Sequence, residues 1–399
     1  MSLVRGPEVR PIAIAAGGTG GHFYPAEALA ATLIARGHWV VLMTDARAGA
    51  LKSQVFDARD QYVLPGAGIA GRGIVRAGKA MFALAAGVAR ARGILARVRP
   101  AAIVAFGGYP SVPPVLGARL LRNRPPVVLH EQNAVLGRAN RFLSGHATTL
   151  ALSFAATTRV PSGVRTVVTG NPVRPVVTAL GNAGYEAPAG ARQAGSLQAG
   201  SPRDGSPQAG FPRDGSIRLL ILGGSLGARV FSDIVPAALA NLPDALRARL
   251  LVTQQCRAED IERVRAIYTG RGIAADLAPF FADVADRLLA AHLVISRAGA
   301  SSVAELAIAG RPSILVPLPG AIDDHQSANA RALADAGGAW IMPQPVFTAP
   351  ALTDALTRLL ADPGALAKAA TGARSVAQPG AAAALADLVE QLMRQEARA

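Results

Sequence analysis

The sequence is poor in cysteine, in aromatic residues and in acidic residues, and each scarcity excludes a class of protein. Cys256 is the only cysteine, so an internal disulfide framework is excluded and a reducing compartment is favoured. Aromatic residues are 5% of the chain and no nucleic-acid-binding motif occurs, so we expect no nucleic-acid partner. The apolar runs are too short or too interrupted by glycine to span a bilayer, and no signal peptide is recognised, so we expect no export.

The shortage of acidic residues is concentrated in one region. The chain carries 41 Lys and Arg against 26 Asp and Glu, a net charge of +15. Between Gln61 and His130 there is no acidic residue, yet there are ten basic ones. Residues 69–99 mix these with apolar side chains, and Arg72, Arg76 and Lys79 share one side of a predicted helix. This pattern predicts a segment that rests on an anionic membrane, and a solvated helix face is the alternative.

The stretch 293–330 predicts a βαβ unit, the building block of a parallel sheet. An apolar strand (Leu293–Ser296) runs through a glycine turn into a helix, and a second strand (Ser313–Pro317) leads into another helix. Ligands of parallel sheets bind beyond the carboxyl ends of the strands. The polar residues that follow these two strands are therefore candidate ligand-binding residues.

Those polar residues suit a nucleotide sugar. Ser301 and Ser302 begin a predicted helix, whose N-terminus favours phosphate, and Arg297 adds a positive charge. Glu305 lies one turn further, where a carboxylate can accept from ribose hydroxyls. Gln326 and Asn329 share a helix face, and their amides suit sugar hydroxyls. A capped helix with a solvated polar face is the alternative for any one of them.

The chain begins with a similar strand and glycine turn. Strand Pro11–Ala16 enters the sequence GGTGGH (17–22), a helix is predicted from about Pro25 to Arg36, and strand Trp39–Thr44 follows. Phe23 stands where a dinucleotide-binding fingerprint needs its third glycine, which argues against an NAD dehydrogenase. His22 is a candidate general base, and a histidine that caps the turn is the alternative.

Further strands predict a sheet in each half of the chain. They are Ala101–Phe106, Val127–His130 and Thr166–Thr169 in the first half, then Ile217–Leu222, Leu250–Gln254 and a weak strand ending at Phe280–Phe281. Glycine or polar loops follow several of them, and helices are predicted beyond Trp340. Residues 184–216 contain two near-copies of a ten-residue repeat, QAGSPRDGSP and QAGFPRDGSI, and predict a flexible insertion without a catalytic role.

The fold class is therefore α/β, with two Rossmann-like, doubly wound parallel-sheet domains facing a cleft. We predict an N-terminal domain for acceptor and membrane over 1–175, the insertion over 184–216 and a sugar-nucleotide domain over 217–375. The last helix, within 376–399, is expected to pack back on the N-terminal domain.

Seven motifs in this order resemble the MurG family of GT-B glycosyltransferases. They are GGTGGHFYPAEALA, FGGYPSVPP, HEQNAVLGRANR, GNPVR, GGSLGAR, SRAGASSVAELAIAGRPSILVPLP and DDHQSANA. The resemblance spans Pro11 to about Glu390, excluding the insertion, and departs at Leu226, where the family commonly has glutamine.

The resemblance implies roles for individual residues. His22 is the expected base, with Glu131 as a second catalytic candidate that faces the acceptor beside Gly107, Gly108 and Tyr109. Thr19, Gly20 and Gly21 are expected at the reacting sugar, and Asn133 reaches the N-acetylglucosamine. Arg174 and Ser225 serve the diphosphate, Phe281 presents its backbone to uracil, and Gln326 and Asn329 hold the sugar. The nucleoside is expected on Ala300, Ser301, Ser302, Val303, Ala304 and Glu305.

The activity implied by the resemblance is an inverting transfer of N-acetylglucosamine from UDP-N-acetylglucosamine to the 4-hydroxyl of lipid I. This makes lipid II for peptidoglycan, a step in cell-wall biogenesis that bears on cell shape and division. The expected place is the cytoplasmic face of the bacterial inner membrane, with cell-wall synthesis proteins as possible partners. Alternatives are another GT-B enzyme, such as a lipid glycosyltransferase or UDP-N-acetylglucosamine 2-epimerase, and a non-catalytic membrane scaffold.

We expect no cofactor and no metal. The sequence has no Asp-x-Asp motif, and its six histidines lack the spacing of metal ligands.

Overall fold

A computed structural model describes most of the chain. The described residues are 10–17, 20–46, 53, 55–57, 59–65, 74–188, 215–224, 227–396 and 398, with only the backbone for 74–80. Thr19, Arg72, Ser225 and Leu226 lie outside the described residues, as do the side chains of Arg76 and Lys79.

The chain divides into two compact units. Unit 1 comprises residues 1–175 and 378–399, and unit 2 comprises residues 176–377.

Unit 1 is built on a parallel sheet of seven described strands. They are β1 (Ile12–Ala15), β2 (Val40–Asp45), β3 (Gln61–Leu64), β4 (Ala102–Ala105), β5 (Val127–Glu131), β6 (Thr149–Leu152) and β7 (Thr166–Val168). Their order in the sheet is β3-β2-β1-β4-β5-β6-β7. β1 therefore pairs with β2 on one side and β4 on the other, the arrangement in which a doubly wound sheet reverses its direction.

Both faces of this sheet are covered by helices. The helices of unit 1 are α1 (Gly20–Ala35), α2 (Ile74–Val98), α3 (Val112–Arg119), α4 (Arg138–Leu143) and, at the end of the chain, α14 (Ala381–Glu396). Ile12 and Ile14 face a core shared with α1 and α14, whereas Ala13 and Ala15 face a second core that includes Leu95 of α2. The buried strands are accordingly apolar on both sides, as parallel strands usually are.

Unit 2 repeats this plan with six described strands. They are β8 (Ile217–Leu222), β9 (Leu250–Gln255), β10 (Ala274–Ala278), β11 (Leu293–Ser296), β12 (Ser313–Leu315) and β13 (Ala339–Ile341), all parallel, in the order β10-β9-β8-β11-β12-β13. A short helix, α5 (Pro175–Thr178), lies at the start of this unit. The others are α6 (Arg229–Ala240), α7 (Asp244–Arg247), α8 (Ile261–Gly270), α9 (Val284–Ala290), α10 (Ala300–Ala309), α11 (His325–Ala334), α12 (Ala349–Ala361) and α13 (Pro363–Ser375).

The prediction of two Rossmann-like, parallel-sheet domains is confirmed, with several differences in the elements. Helix α1 begins at Gly20 and not at about Pro25, so Pro25 lies inside it. Strands β3, β6 and β13 were not predicted, and β10 ends at Ala278, before the predicted end at Phe280–Phe281. These strands have only three to five residues, too few for a clear periodic pattern.

Most of the predicted insertion lies outside the described residues. Its first residues, 184–188, are described, and there the Tyr185 hydroxyl donates to the carbonyl of His292 over 2.9 Å. The Tyr185 ring also packs against the core of unit 2. Within the described residues, no helix is both long enough and apolar enough to cross a bilayer.

Candidate active site

His22 lies in the first turn of α1, at the carboxyl end of the central strand β1. Its side chain is partly exposed, and its Nδ1 lies 2.9 Å from Oε1 of Gln132. Because Pro25 has no N–H, the carbonyl of Gly21 lacks the usual hydrogen bond from four residues along. Gly21 is exposed while Gly20 is buried against the Tyr24 ring, so Gly21 is the one whose backbone a ligand can reach.

The glycine loop after β4 faces the other side of the His22 ring. Gly107 and Gly108 have φ of 80° and 68°, a region of backbone conformation that favours glycine. A methyl group on Gly108 would lie 3.4 Å from both Cδ2 and Nε2 of His22. Because Gly108 has no side chain, it places no atom in that position next to Nε2. Tyr109 follows, with a buried hydroxyl that has no hydrogen-bond partner among the described residues.

Glu131, the second catalytic candidate, is buried, and both of its carboxylate oxygens accept hydrogen bonds. Oε1 accepts from the backbone N–H and side-chain Nδ2 of Asn133, each at 3.0 Å. Oε2 accepts from the N–H of Gly137 and from Nδ2 of Asn140, both at 2.9 Å. A carboxylate that already accepts four hydrogen bonds is poorly placed to take a proton from a substrate. Its effect here is to fix the loop that carries Asn133.

Two residues that the sequence analysis did not select lie behind His22. Gln132 and His130 are both buried, and Nε2 of Gln132 lies 3.0 Å from Nδ1 of His130. Nε2 of His130 in turn lies 2.9 Å from the carbonyl of Gly170, beyond β7. The dipeptide Glu131-Gln132 after the histidine was a visible signal, but only the fold brings it to α1.

Arg174, predicted to serve the diphosphate, is also at this edge of unit 1. Its guanidinium lies 5.5 Å from the centre of the Tyr24 ring, so it is held in a cation–π contact with α1.

In unit 2, the N-terminus of α10 has the properties of an anion or hydroxyl site. Its N-cap is Gly299, and no side chain caps the helix. The first N–H groups of α10 therefore need outside partners, and the helix dipole favours a negative one. The Oγ of Ser301 is buried without a partner among the described residues. Along this helix, Ala300 and Val303 are buried, whereas Ser302, Ala304 and Glu305 are partly exposed.

Arg297, predicted to bind phosphate, contacts the residues that follow a neighbouring strand. Its guanidinium donates to the carbonyls of Val316 and Pro317 at 3.1 and 3.2 Å and to Oε1 of Gln344 at 2.7 Å. It also lies 5.3 Å from the centre of the Phe231 ring, and burial lowers its pKa. These contacts make Arg297 a link between the ends of β11 and β12.

The two predicted sugar ligands on α11 differ in exposure. Asn329 is fully buried and donates to the carbonyl of Ala298 over 3.1 Å, so it shapes the turn that leads into α10. Gln326 is partly exposed, and its Oε1 accepts from the N–H of Leu318. The amide nitrogen of Gln326 takes no part in that hydrogen bond. Asp323 and Asp324, just before α11, have φ of 56° and 52°, a strained conformation that is concentrated at functional sites.

Phe281 follows β10 and is buried, with the guanidinium of Arg287 4.0 Å from its ring centre. Gly223, at the end of β8, cannot carry a side chain because a methyl there would lie 2.2 Å from the backbone nitrogen of Ala228.

Among the described residues, no cluster of three or more potential ligands could hold a metal ion.

Comparison with known proteins identifies the family. The N-terminal domain of glycosyltransferase family 28 matches residues 12–152, and the C-terminal domain of that family matches residues 218–392. The chain is 60% identical over 382 residues to a UDP-N-acetylglucosamine--N-acetylmuramyl-(pentapeptide) pyrophosphoryl-undecaprenol N-acetylglucosamine transferase of Granulibacter bethesdensis, covering 96% of this chain and 94% of that protein. A protein of the same name from Gluconobacter oxydans is 52% identical, covering 96% and 99%.

A solved structure agrees with this assignment. The crystal structure of Acinetobacter baumannii MurG is 32% identical, with a TM-score of 0.72, and the match covers 96% of this chain and 99% of that one. The chain therefore belongs to glycosyltransferase family 28 and, within it, to the MurG family.

Proposed function

We propose that this protein transfers N-acetylglucosamine from UDP-N-acetylglucosamine to the 4-hydroxyl of lipid I and so makes lipid II. The observation that carries this proposal is the identity of 60% over almost the full length to a transferase of that name. The site geometry is compatible with the activity, because each unit presents polar or glycine loops at the carboxyl ends of its strands.

His22 is the proposed general base. Within the described part of the chain, no hydrogen bond engages its Nε2, which lies on the side of the ring next to Gly108. In the reaction, the acceptor 4-hydroxyl oxygen forms a bond to C1 of the sugar while its proton passes to Nε2. The bond between C1 and the diphosphate oxygen breaks, UDP leaves with the electron pair, and the configuration at C1 inverts.

We assign the donor to unit 2. The uncapped start of α10 and the hydroxyls of Ser301 and Ser302 suit phosphate or ribose oxygens, and Glu305 suits the ribose hydroxyls. We propose that Phe281 contacts uracil and that Gln326 contacts the sugar. We propose Arg174 and Ser225 as contacts of the diphosphate and Thr19 as a contact of the reacting sugar. We propose that Asn133 contacts the sugar and Tyr109 the acceptor. Glu131 holds the loop of Asn133, and Asn329 holds the turn that leads into α10.

The membrane is the proposed location of the acceptor. On α2, Met81 and Phe82 are 71% and 77% exposed, an unusual position for large apolar side chains. The same helix continues with Arg90, Arg92 and Arg97, and it contains no acidic residue. Apolar side chains next to basic ones suit an anionic lipid surface, so we propose that α2 docks on the cytoplasmic face of the inner membrane.

The test is a transfer assay with a lipid I analogue. We expect UDP release and a lipid II product with UDP-N-acetylglucosamine, with much less from UDP-glucose and UDP-N-acetylgalactosamine. We also expect the rate to persist in EDTA, because helix N-termini and polar side chains would stabilise the leaving UDP.

Three outcomes would contradict parts of this proposal. Formation of N-acetylmannosamine without lipid II would indicate an epimerase, and binding to vesicles without any UDP release would indicate a scaffold. Loss of the rate in EDTA that magnesium restores would contradict metal independence alone.

A further inference from the structure

A series of hydrogen bonds, buried except at its partly buried last step, runs from the backbone of unit 1 to the proposed base. From Nδ1 of His22 it passes to Oε1 of Gln132 at 2.9 Å, and from Nε2 of Gln132 to Nδ1 of His130 at 3.0 Å. From Nε2 of His130 it ends on the carbonyl oxygen of Gly170 at 2.9 Å. The Phe106 ring, with its centre 5.2 Å from that of His130, packs against the imidazole.

Two backbone carbonyls fix the direction of every bond in this series. A carbonyl oxygen only accepts, so Nε2 of His130 must carry a proton toward Gly170. A neutral imidazole has one N–H, and Nδ1 of His130 is then an acceptor. The Gln132 nitrogen is also fixed independently, because it lies 3.1 Å from the carbonyl of His130 and can only donate there.

His130 is neutral in this environment, so only one of its ring nitrogens carries a proton. It is fully buried, and burial lowers its pKa from the usual 6.5 to about 4. Both nitrogens would be donors in a protonated His130, and Nδ1 would then oppose the amide N–H of Gln132.

The donor-to-acceptor direction of these hydrogen bonds determines the tautomer of His22. With its nitrogen turned to His130, Gln132 offers only its oxygen to His22, and an amide oxygen only accepts. Nδ1 of His22 must therefore carry the proton, which leaves the lone pair on Nε2, the atom beside Gly108. A neutral histidine side chain exposed to water prefers the opposite tautomer, with its proton on Nε2.

We propose that Gln132 and His130 are positioning residues that hold His22 with its proton on Nδ1 and its lone pair on Nε2. The inference rests on the proposed function of His22 as general base. Gln132 is an amide and passes no proton, so its role differs from that of a carboxylate that stabilises a charged imidazolium. It orients the base, and His130 orients Gln132.

The tautomer is measurable without any activity. We would label the protein with ¹⁵N-histidine and record two-bond ¹⁵N–¹H spectra at alkaline pH, assigning His22 by its loss in the variant His22→Gln. We expect a protonated Nδ1 and an unprotonated Nε2. A spectrum with the proton on Nε2 would overturn the proposal, and this arm needs only the unsubstituted sequence.

The kinetic arm uses Gln132→Met, which preserves length but forms neither hydrogen bond. We expect kcat to fall roughly 10- to 100-fold, with little change in the KM for UDP-N-acetylglucosamine, and the His22 spectrum to show both tautomers. His130→Asn, whose oxygen can replace the acceptor Nδ1, should recover part of the rate that His130→Leu loses.

The matched control is Gln61→Met. Gln61 is also in unit 1, and its side chain donates one hydrogen bond to the carbonyl of Phe56. This bond is not part of the hydrogen-bond series behind His22, so kcat should not change. An unchanged kcat and tautomer in Gln132→Met would also overturn the proposal. If the unsubstituted enzyme transfers no N-acetylglucosamine, the proposed function fails, while the spectrum still decides the tautomer.

Discussion

At the scale of single residues, the proposed reaction depends on an absent side chain as much as on a present one. The bare Gly108 leaves room beside Nε2 of His22, while Glu131 and Asn329 direct their polar atoms inward and hold loops. A residue type suited to a ligand does not establish that it contacts one. Buried polar groups must find partners, and backbone loops provide them at short range.

The variant Gly108→Ala tests the space beside the base. Its methyl would lie 3.4 Å from Nε2 of His22, where the acceptor hydroxyl must approach, and its φ of 68° adds strain of about 1–3 kcal/mol. We expect kcat to fall at least about tenfold, approaching the 10²–10⁴-fold loss of a missing base expected for His22→Ala.

The matched control is Gly163→Ala in the same unit. Gly163 has φ of 78°, yet nothing lies within 4 Å of a methyl placed there. It should lose stability to strain while keeping kcat. Equal losses of kcat in the two glycine variants would show that strain, and not the space beside His22, matters.

At the scale of elements, the most informative difference from prediction is the start of α1. The glycine-rich turn was expected to continue until Pro25, but the helix begins at Gly20 and carries His22 in its first turn. Glycine and an internal proline disfavour a helix locally. Packing of the buried Phe23 and Ala26 into the core of unit 1 provides the compensating stabilisation.

Helix α2 carries the prediction that concerns the membrane. Burying Phe82 or Met81 fully in lipid would contribute about 1.5–3 kcal/mol each, so the double change Met81→Ser and Phe82→Ser should weaken vesicle binding at least tenfold. Flotation with vesicles containing phosphatidylglycerol measures this. Transfer to a water-soluble acceptor analogue should be unaffected.

The control is Val346→Ser, which removes an apolar side chain that is 56% exposed on unit 2. It should bind vesicles as the unsubstituted protein does. Undiminished flotation of the double variant would contradict the assignment of α2 to the membrane.

At the scale of the whole molecule, the chain contains two similar sheets, and its last helix, α14, returns to the first of them. Leu385 and Val389 of α14 lie in the same core as Ile12 and Ile14 of β1. Arg36 of α1 forms an ion pair with Asp387 at 2.6 Å. Unit 1 is thus completed only when α14 has been made.

Burial of the neutral His130 predicts how the stability of the folded protein changes with pH. The native state resists protonation down to about pH 4, while the unfolded chain takes up the proton below pH 6.5. The unfolded state therefore binds more protons in this window. The contribution of the neutral His130 to the free energy of unfolding should be fully present above pH 6.5. It should then decrease, as the pH falls to about 4, by up to about 1.4 kcal/mol per pH unit.

Urea unfolding between pH 7 and pH 4.5 measures this slope. In His130→Asn the slope over the same range should be shallower, whatever the absolute stability of the variant. An equal slope in both proteins would mean that other groups control the acid sensitivity.

The amino-acid sequence by itself determined the two parallel α/β sheets, the glycine loops at their strand ends and the resemblance to a glycosyltransferase family, since these depend on local periodicity and on motifs. It missed the short strands β3, β6 and β13, because three or four residues carry little periodic signal. Only the tertiary structure decided which polar groups are already satisfied. Gln132, His130 and Gly170 are linked to His22 because separate strands end at one edge of a sheet. Arg297 and Glu131 already form hydrogen bonds with nearby backbone and side-chain groups, which residue type alone could not show.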